Sequence, residues 1–330
     1  MLTTRLCELL GITHPVVLGG MGIGTNPELV AAVSNAGALG IQGGCSGLPP
    51  ADIAQLAERI RELSDRPFGL NMLLFAAGDA DVGAVLDARP GTFSTAWPRA
   101  DQDLAGLFAR AHDAGSTVMH MVASPGEAHH AAEAGADVIV AQGTDGGGHV
   151  GLTGTIALVP MVVRAVAPVP VVAAGGLADG AGLASALMLG AEGALYGTRF
   201  LATDEAPVPD AYKRAITDSD GVNTMVTGLA DVAIGTVWPG AYARVIRNRF
   251  IETWSGREGE LRYQQGRVGA GAWRALSEGD ADQSILYAGQ SAGLIDSVQP
   301  AGVVVEQIVA DAATLLGDRA QALVGSTEER

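Results

Sequence analysis

Four times in this 330-residue chain an amphipathic segment closes on a glycine and passes at once into an apolar run: NAGALG (35–40), DAGSTV (113–118), EAGADV (133–138) and LGAEGAL (189–195). Glycine just past a helix takes the left-handed backbone that ends it, and the chain then leaves as a strand. A repeated α-to-β junction points to βα units, and βα units build a parallel sheet. Eight apolar runs fill the strand role: residues 15–20, 38–44, 68–75, 92–97, 117–122, 137–143, 170–176 and 193–201. They are rich in Val, Ile and Leu and lack two-residue alternation, as expected of strands covered on both faces. Between them, Leu104, Leu107, Phe108 and Ala111 share one helical face, as do Ile53, Leu56, Ile60 and Leu63.

Eight such units favour an α/β fold of the (β/α)8 TIM-barrel type over an open doubly wound sheet. The open sheet predicts a dinucleotide fingerprint after the first strand. The sequence there, GGMGIGTNPE, spaces Gly20, Gly22 and Gly24 as G-x-G-x-G, and the second strand ends in IQGGC with no acidic residue for a ribose. After residue 201 the cycle stops. Residues 207 to about 280 read as helical segments such as YARVIRNRFIETW, while Val305, Ile308, Val309, Ala312, Leu315 and Leu316 fall on one face of a last helix. The expected organisation is a barrel over 1–206 and 281–330. A mostly helical lid or substrate subdomain at 207–280 follows strand eight, where insertions overhang the carboxyl mouth.

Composition narrows the function. Lys plus Arg number 20 and Asp plus Glu 36, a net charge of −16, which does not suit a nucleic-acid binder or an anionic membrane surface. The charged fraction of 17% against 48% apolar argues against long disorder. Cys7 and Cys45 show neither CxxC nor metal-ligand spacing and read as core or site-lining thiols. The start, MLTTRLCELLGITHP, has no apolar h-region, and no run reaches membrane-spanning length, so a reduced cytoplasmic setting is expected. HExxH and Walker A patterns are missing, and adjacent His129 and His130 do not share a helix face, so no metal site is expected.

In a barrel, chemistry gathers at the carboxyl ends of strands. Five ends here are rich in glycine or amides: Gly19 to Gly22, Asn71, the loop 143–149, Gly175–Gly176 and Gly197–Thr198. The last two follow strands seven and eight, the usual phosphate position of these barrels. The plainer reading of the glycines is tight turns. In VIVAQGTDGGGHVG (138–151), His149 ends a loop stripped of side chains, which suits a flat ligand and a proton-handling imidazole; a base there must be neutral at rest. His120, inside the fifth strand, is open between barrel interior and exterior. His14 suggests a turn, and His112, His129 and His130 read as solvated.

The segments PVVLGGMG, ELVAAVSNAGALG, FGLN, ADVIVAQGTDGGGHVG, PVVAAGGLADGAGLASALMLGAEGALYGTRFLAT and YAGQSAGLI resemble the nitronate monooxygenase (2-nitropropane dioxygenase) family. That family is similar to the flavin-type enoyl-acyl-carrier-protein reductases and to a branch of NADH:quinone reductases. The resemblance runs from about residue 5 to about 315 and implies an FMN-binding TIM barrel with a lid. Carried over by position, Gly20, Met21 and Gly22 face the flavin ring with Asn71 nearby, and Gln142, Gly147 and Gly148 also belong to the cofactor site. Gly175, Gly176, Gly197 and Thr198 hold the phosphate, Gln290 and Ser291 close over the flavin, and His149 is the catalytic base.

Three departures stand out. The family's Glu-Ala-Gly-Gly-His becomes Asp145-Gly146-Gly147-Gly148-His149. Met121 stands where Lys or Gln often meets the flavin's pyrimidine edge, and a thioether cannot donate a hydrogen bond there. The stretch LADVAIGTVWPGAYARVIRN carries no readable substrate signature. The expected activity is oxidation of nitronates or nitroalkanes with oxygen. The alternatives are an NAD(P)H-dependent FMN reductase of an enoyl-thioester, quinone or pathway-specific metabolite, and a non-catalytic flavin-binding scaffold. The assembly state is left open, a homodimer included.

Overall fold

A computed structural model describes residues 2–324. Eight parallel strands form the barrel: β1 Val16–Leu18, β2 Gly40–Gln42, β3 Phe68–Leu73, β4 Thr92–Ala96, β5 Thr117–Val122, β6 Val138–Gln142, β8 Val171–Ala174 and β9 Gly193–Tyr196. Three further strands, β7 Gly148–Val150, β10 Thr224–Thr227 and β11 Tyr242–Ile246, lie outside it. The barrel order is β1-β9-β8-β6-β5-β4-β3-β2. It closes where Leu39 bridges to Val17, its N–H donating to the Val16 carbonyl at 3.0 Å and its carbonyl accepting from Leu18 N–H at 2.9 Å.

The junctions read from the sequence take the expected shape: Gly37, Gly115, Gly135 and Gly190 all have positive φ, between +82° and +98°. The strands split their side chains between two cores. Val17, Leu39, Ile41, Met119, Val138, Val140, Val172 and Leu195 fill the barrel interior. Leu6 and Leu10 of the helix Arg5–Leu10 join them, and a Cβ on Gly193 would lie 2.6 Å from Leu6, so this helix plugs the amino end. Outward residues such as Leu70, Phe93, Ile139 and Ala173 pack under the surrounding helices. The last of these, Ala301–Thr314, buries Val305, Ile308 and Ala312, as the periodicity predicts. Each fully buried Val, Leu or Ile contributes about 1.5–3 kcal/mol.

The chain between β9 and that last helix is mostly helical but holds something the sequence reading missed. Strands β10 and β11 pair antiparallel, and β11 pairs in turn with β7, inside the glycine-rich segment after β6. The apparent helix YARVIRNRFIETW is divided. Tyr242–Ile246 is strand, with β-branched Val245 and Ile246 buried, and Asn248 caps a separate helix, Arg249–Trp254, by accepting from Ile251 N–H at 3.2 Å. The strand expected at 193–201 ends at Tyr196, and a short helix begins at Thr198. A third core of Leu229, Ala233, Ala243, Val245, Ile251 and Leu261 holds this region together. No helix among the described residues is long and apolar enough to cross a membrane.

Candidate active site at the carboxyl mouth

The sequence-predicted residues meet at one end of the barrel. Asn71 and Ser94, partners in β3–β4 register, are bonded through Asn71 Nδ2 and Ser94 Oγ at 3.0 Å. A Cβ on Gly20 would come 2.5 Å from Asn71 Cβ, so only glycine lets β1 pass this side chain. Met21 lies close to the end of β9, its Sδ 3.4 Å from where Gly197 would carry a Cβ, and Gly22 opens onto free space. Met121 packs with the interior cluster, as the inward register of β5 requires. Gln142 ends β6 with its Oε1 buried and unpartnered.

Gly175 and Gly176, with φ of +95° and +74°, share the lining of a cavity of about 400 Å³ with Asp145, Gln290 and Ser291. Thr198 is close by, but its Oγ1 accepts the Gly289 N–H at 2.9 Å, so this hydroxyl tethers the 288–291 segment. That segment also presses on the glycine loop. Gln290 N–H donates to the Asp145 carbonyl at 2.9 Å, and a Cβ on Gly147 would fall 2.6 Å from the Ala288 and Gly289 backbone. The bareness of Gly147 is therefore accounted for by protein backbone. Gly148 turns the chain with φ +73° into β7.

His149 follows, and it does not line that cavity. Its backbone pairs with Ala243 of β11, while its Nε2 lies 2.7 Å from Asp231 Oδ1, with side-chain exposures of 8% and 11%. Asp231 stands in the first turn of the helix Leu229–Ile234, where free backbone N–H groups favour a carboxylate. The Trp238 indole stacks on the imidazole with centroids 3.4 Å apart and planes within 9°. Trp238 reaches across to Phe75 at 4.8 Å and Trp97 at 6.3 Å, aromatic residues that follow β3 and β4. Trp97 is held at φ +54°, a left-handed backbone that a bulky residue adopts only under constraint. Tyr287 approaches the imidazole at 5.8 Å between ring centroids. Burial, reinforced by the Asp231 charge, raises its phenol well above the usual range and keeps it a neutral hydrogen-bond donor.

Two other expectations resolve. His120 faces outward: its Nδ1 meets Thr95 Oγ1 at 2.8 Å, its ring packs on Phe108, and burial lowers its pKa to about 4. It therefore does not stand in for Met121 inside the barrel. Both cysteines are buried, and burial pushes the Cys45 thiol up to about 11, which leaves it inert. Asp231, Trp238 and Tyr287 were missed as site residues. Asp231 and Trp238 sit in the stretch without a readable signature, and only the tertiary pairing of β7 with β11 brings them to His149.

A family model described as nitronate monooxygenase matches residues 3–105 and 82–311. A protein of Mycobacterium tuberculosis named (3aS,4S,5R,7aS)-5-hydroxy-7a-methyl-1-oxo-octahydro-1H-indene-4-carboxyl-CoA dehydrogenase is 36% identical over 98% of this chain and 99% of its own. A probable nitronate monooxygenase of Staphylococcus saprophyticus is 32% identical over 94% of this chain and 98% of its own. Among solved structures, FabK from Thermotoga maritima superposes with a TM-score of 0.87 at 34% identity, covering 97% of this chain and 99% of that one.

Proposed function

We propose, on the premise that this chain belongs to the nitronate monooxygenase family and is an oxidoreductase, that it uses FMN to oxidise nitronates and acidic nitroalkanes with oxygen, with His149 as general base. The observation that carries this reading is the state of His149 at the glycine-rich mouth: Nε2 is held by Asp231, and Nδ1 has no hydrogen-bond partner among the described residues. Nor is Nδ1 among the sealed, unpartnered side-chain atoms, so it keeps an approach from outside.

The mouth also fits a flavin mononucleotide. The buried, unpartnered Oε1 of Gln142 offers an acceptor, Gly22 and Gly148 leave open space where other residues would carry side chains, and the 400 Å³ cavity beside Gly175 and Gly176 suits a phosphate-bearing tail. Gly20, Met21, Gly22, Asn71, Met121, Gln142, Gly147 and Gly148 would border the ring. Gly175, Gly176, Gly197 and the Thr198 backbone would take the phosphate, under Gln290 and Ser291. FMN supplies, when bound, the acceptor for the substrate's electrons and the route by which they reach oxygen. The chain's own part is to position the substrate, take the α-proton of a neutral nitroalkane at His149 and limit water at the mouth with Trp238, Trp97 and Phe75.

A second reading is a dehydrogenase or reductase of a thioester or related metabolite on the same fold, with NAD(P)H as the electron partner of FMN. It is favoured by the carboxyl-CoA dehydrogenase of M. tuberculosis and by the inward Met121, which offers no hydrogen-bond donor to a reduced flavin. A visible spectrum of the purified protein tests for flavin. Anaerobic titration then separates the readings: bleaching by nitronate supports the first, rapid bleaching by NADH or NADPH the second.

A further inference from the structure

We propose that Asp231 is a positioning residue for His149: it fixes the imidazole as the Nε2–H tautomer, so that Nδ1 is the atom that accepts the substrate proton. An ionised carboxylate can only accept hydrogen bonds. At 2.7 Å from Asp231 Oδ1, His149 Nε2 must therefore carry the hydrogen, which leaves the lone pair of the neutral ring on Nδ1.

The surroundings hold this arrangement from three sides. Pairing of β7 with β11 fixes the His149 backbone opposite Ala243, and stacking on Trp238 fixes the ring plane. Asp231 then fixes rotation within that plane. Each restraint comes from the chain between β9 and the last helix, whereas the histidine itself stands in β7, in the segment that follows barrel strand β6. Among the described residues Tyr287 is the other titratable ring beside His149, and as a neutral phenol it does not compete for the substrate proton.

The assignment rests on the reading of His149 as base. In that step the α-carbon–hydrogen bond of the nitroalkane breaks and the proton passes to Nδ1. The electron pair remains on the substrate as the nitronate. The imidazolium so formed donates from Nε2 to Asp231 without passing its proton on. A substrate already supplied as nitronate needs no such transfer.

The test uses the full-length protein labelled with 15N-histidine, with the His149 signal assigned by its loss in His149→Asn. Long-range proton–nitrogen spectra of the wild type are expected to show the Nε2–H tautomer, and Asp231→Ala to show a mixture. Asp231→Asn, which preserves shape and can still accept through its amide oxygen, is expected to retain more of the tautomer than Ala. In steady state, Asp231→Ala is expected to lose nitroalkane turnover about tenfold more than turnover of the matching nitronate, less than the roughly 10²–10⁴ of losing a general base outright because His149 itself remains. An Nδ1–H tautomer in the wild type, or an unaltered tautomer in a folded Asp231→Ala protein, overturns the assignment. A tautomer that follows Asp231 in a protein that turns over neither nitroalkane nor nitronate supports the positioning role and sinks the nitronate reading alone.

Discussion

The indole of Trp238 lies flat on the imidazole of His149, with ring centroids 3.4 Å apart and an interplanar angle of 9°. The two residues are 89 positions apart and come from different parts of the fold. The stack covers one face of the ring, while Asp231 takes its far nitrogen.

Trp238→Ala removes that face and the bridge to Phe75 and Trp97. His149 would keep its carboxylate but gain freedom to tilt, and small misplacements at a reacting centre are costly. We expect nitroalkane kcat to fall by about tenfold and stability by about 1–3 kcal/mol, below the range for a fully buried Trp because Trp238 is only partly buried. Trp238→Phe should recover most of both. Full turnover in the Ala variant, measured by steady-state kinetics, would show that the stack does not matter to the chemistry.

His149→Asn retains a polar group beside Asp231 but leaves no base. Turnover of neutral nitroalkanes is expected to drop by about 10²–10⁴, with nitronate turnover much less affected and flavin still bound by its visible spectrum. Equal losses on both substrates would remove His149 from the proton-transfer step.

Neighbouring glycines should behave differently. A Cβ at Gly147 meets backbone of Ala288 and Gly289 at 2.6 Å, and neither side can yield locally. Gly147→Ala is expected to cost about 1–3 kcal/mol and to loosen the 288–291 segment, with partial loss of flavin. Gly148 has open space around it and meets only the left-handed φ of +73°. Gly148→Ala should therefore cost about 1 kcal/mol. Urea unfolding together with flavin content per chain checks the order, which a milder Gly147 variant would reverse.

His120 makes stability depend on pH. Burial lowers its folded pKa to about 4 from the ordinary histidine value of 6.5, so between these values the unfolded chain binds the extra proton first. Stability is then greatest above pH 6.5 and declines as pH falls toward 4, by at most about 3 kcal/mol from this group. Denaturation midpoints at pH 7 and pH 5 should show the decline. His120→Gln, which can still bond Thr95, should make it shallower; an equal decline would assign it to other groups.

Much of the barrel was legible because its signals are local. Glycine after a helix, runs of Val, Ile and Leu, and the face Leu104, Phe108 and Ala111 each act within a few residues. The mouth was legible in part, since strand ends can be located once strands are. The restraints on His149 were not. β7 is three residues long and shows no alternation, and Asp231 is an ordinary acidic residue in a short helix until antiparallel pairing brings it across 82 positions. His120 was undecided because a residue in a strand buried on both faces gives no periodic sign of which way it points.

The β10–β11–β7 sheet also sets where this enzyme could give way to admit a molecule. Main-chain hydrogen bonds stitch β10 and β11 to the segment that bears His149, so a swing of that whole region would tear His149 from its setting. A smaller strap remains. Trp238 is carried between Gly235 and Gly240, both left-handed at φ +74° and +72°, and Val237 beside it is 85% exposed. Asp231 and Ala243 lie outside that strap. Exchanging strap residues other than Trp238 between relatives would alter which molecules enter while His149 keeps its stack and Asp231, whereas a change at Trp238 itself would couple admission to the setting of the imidazole.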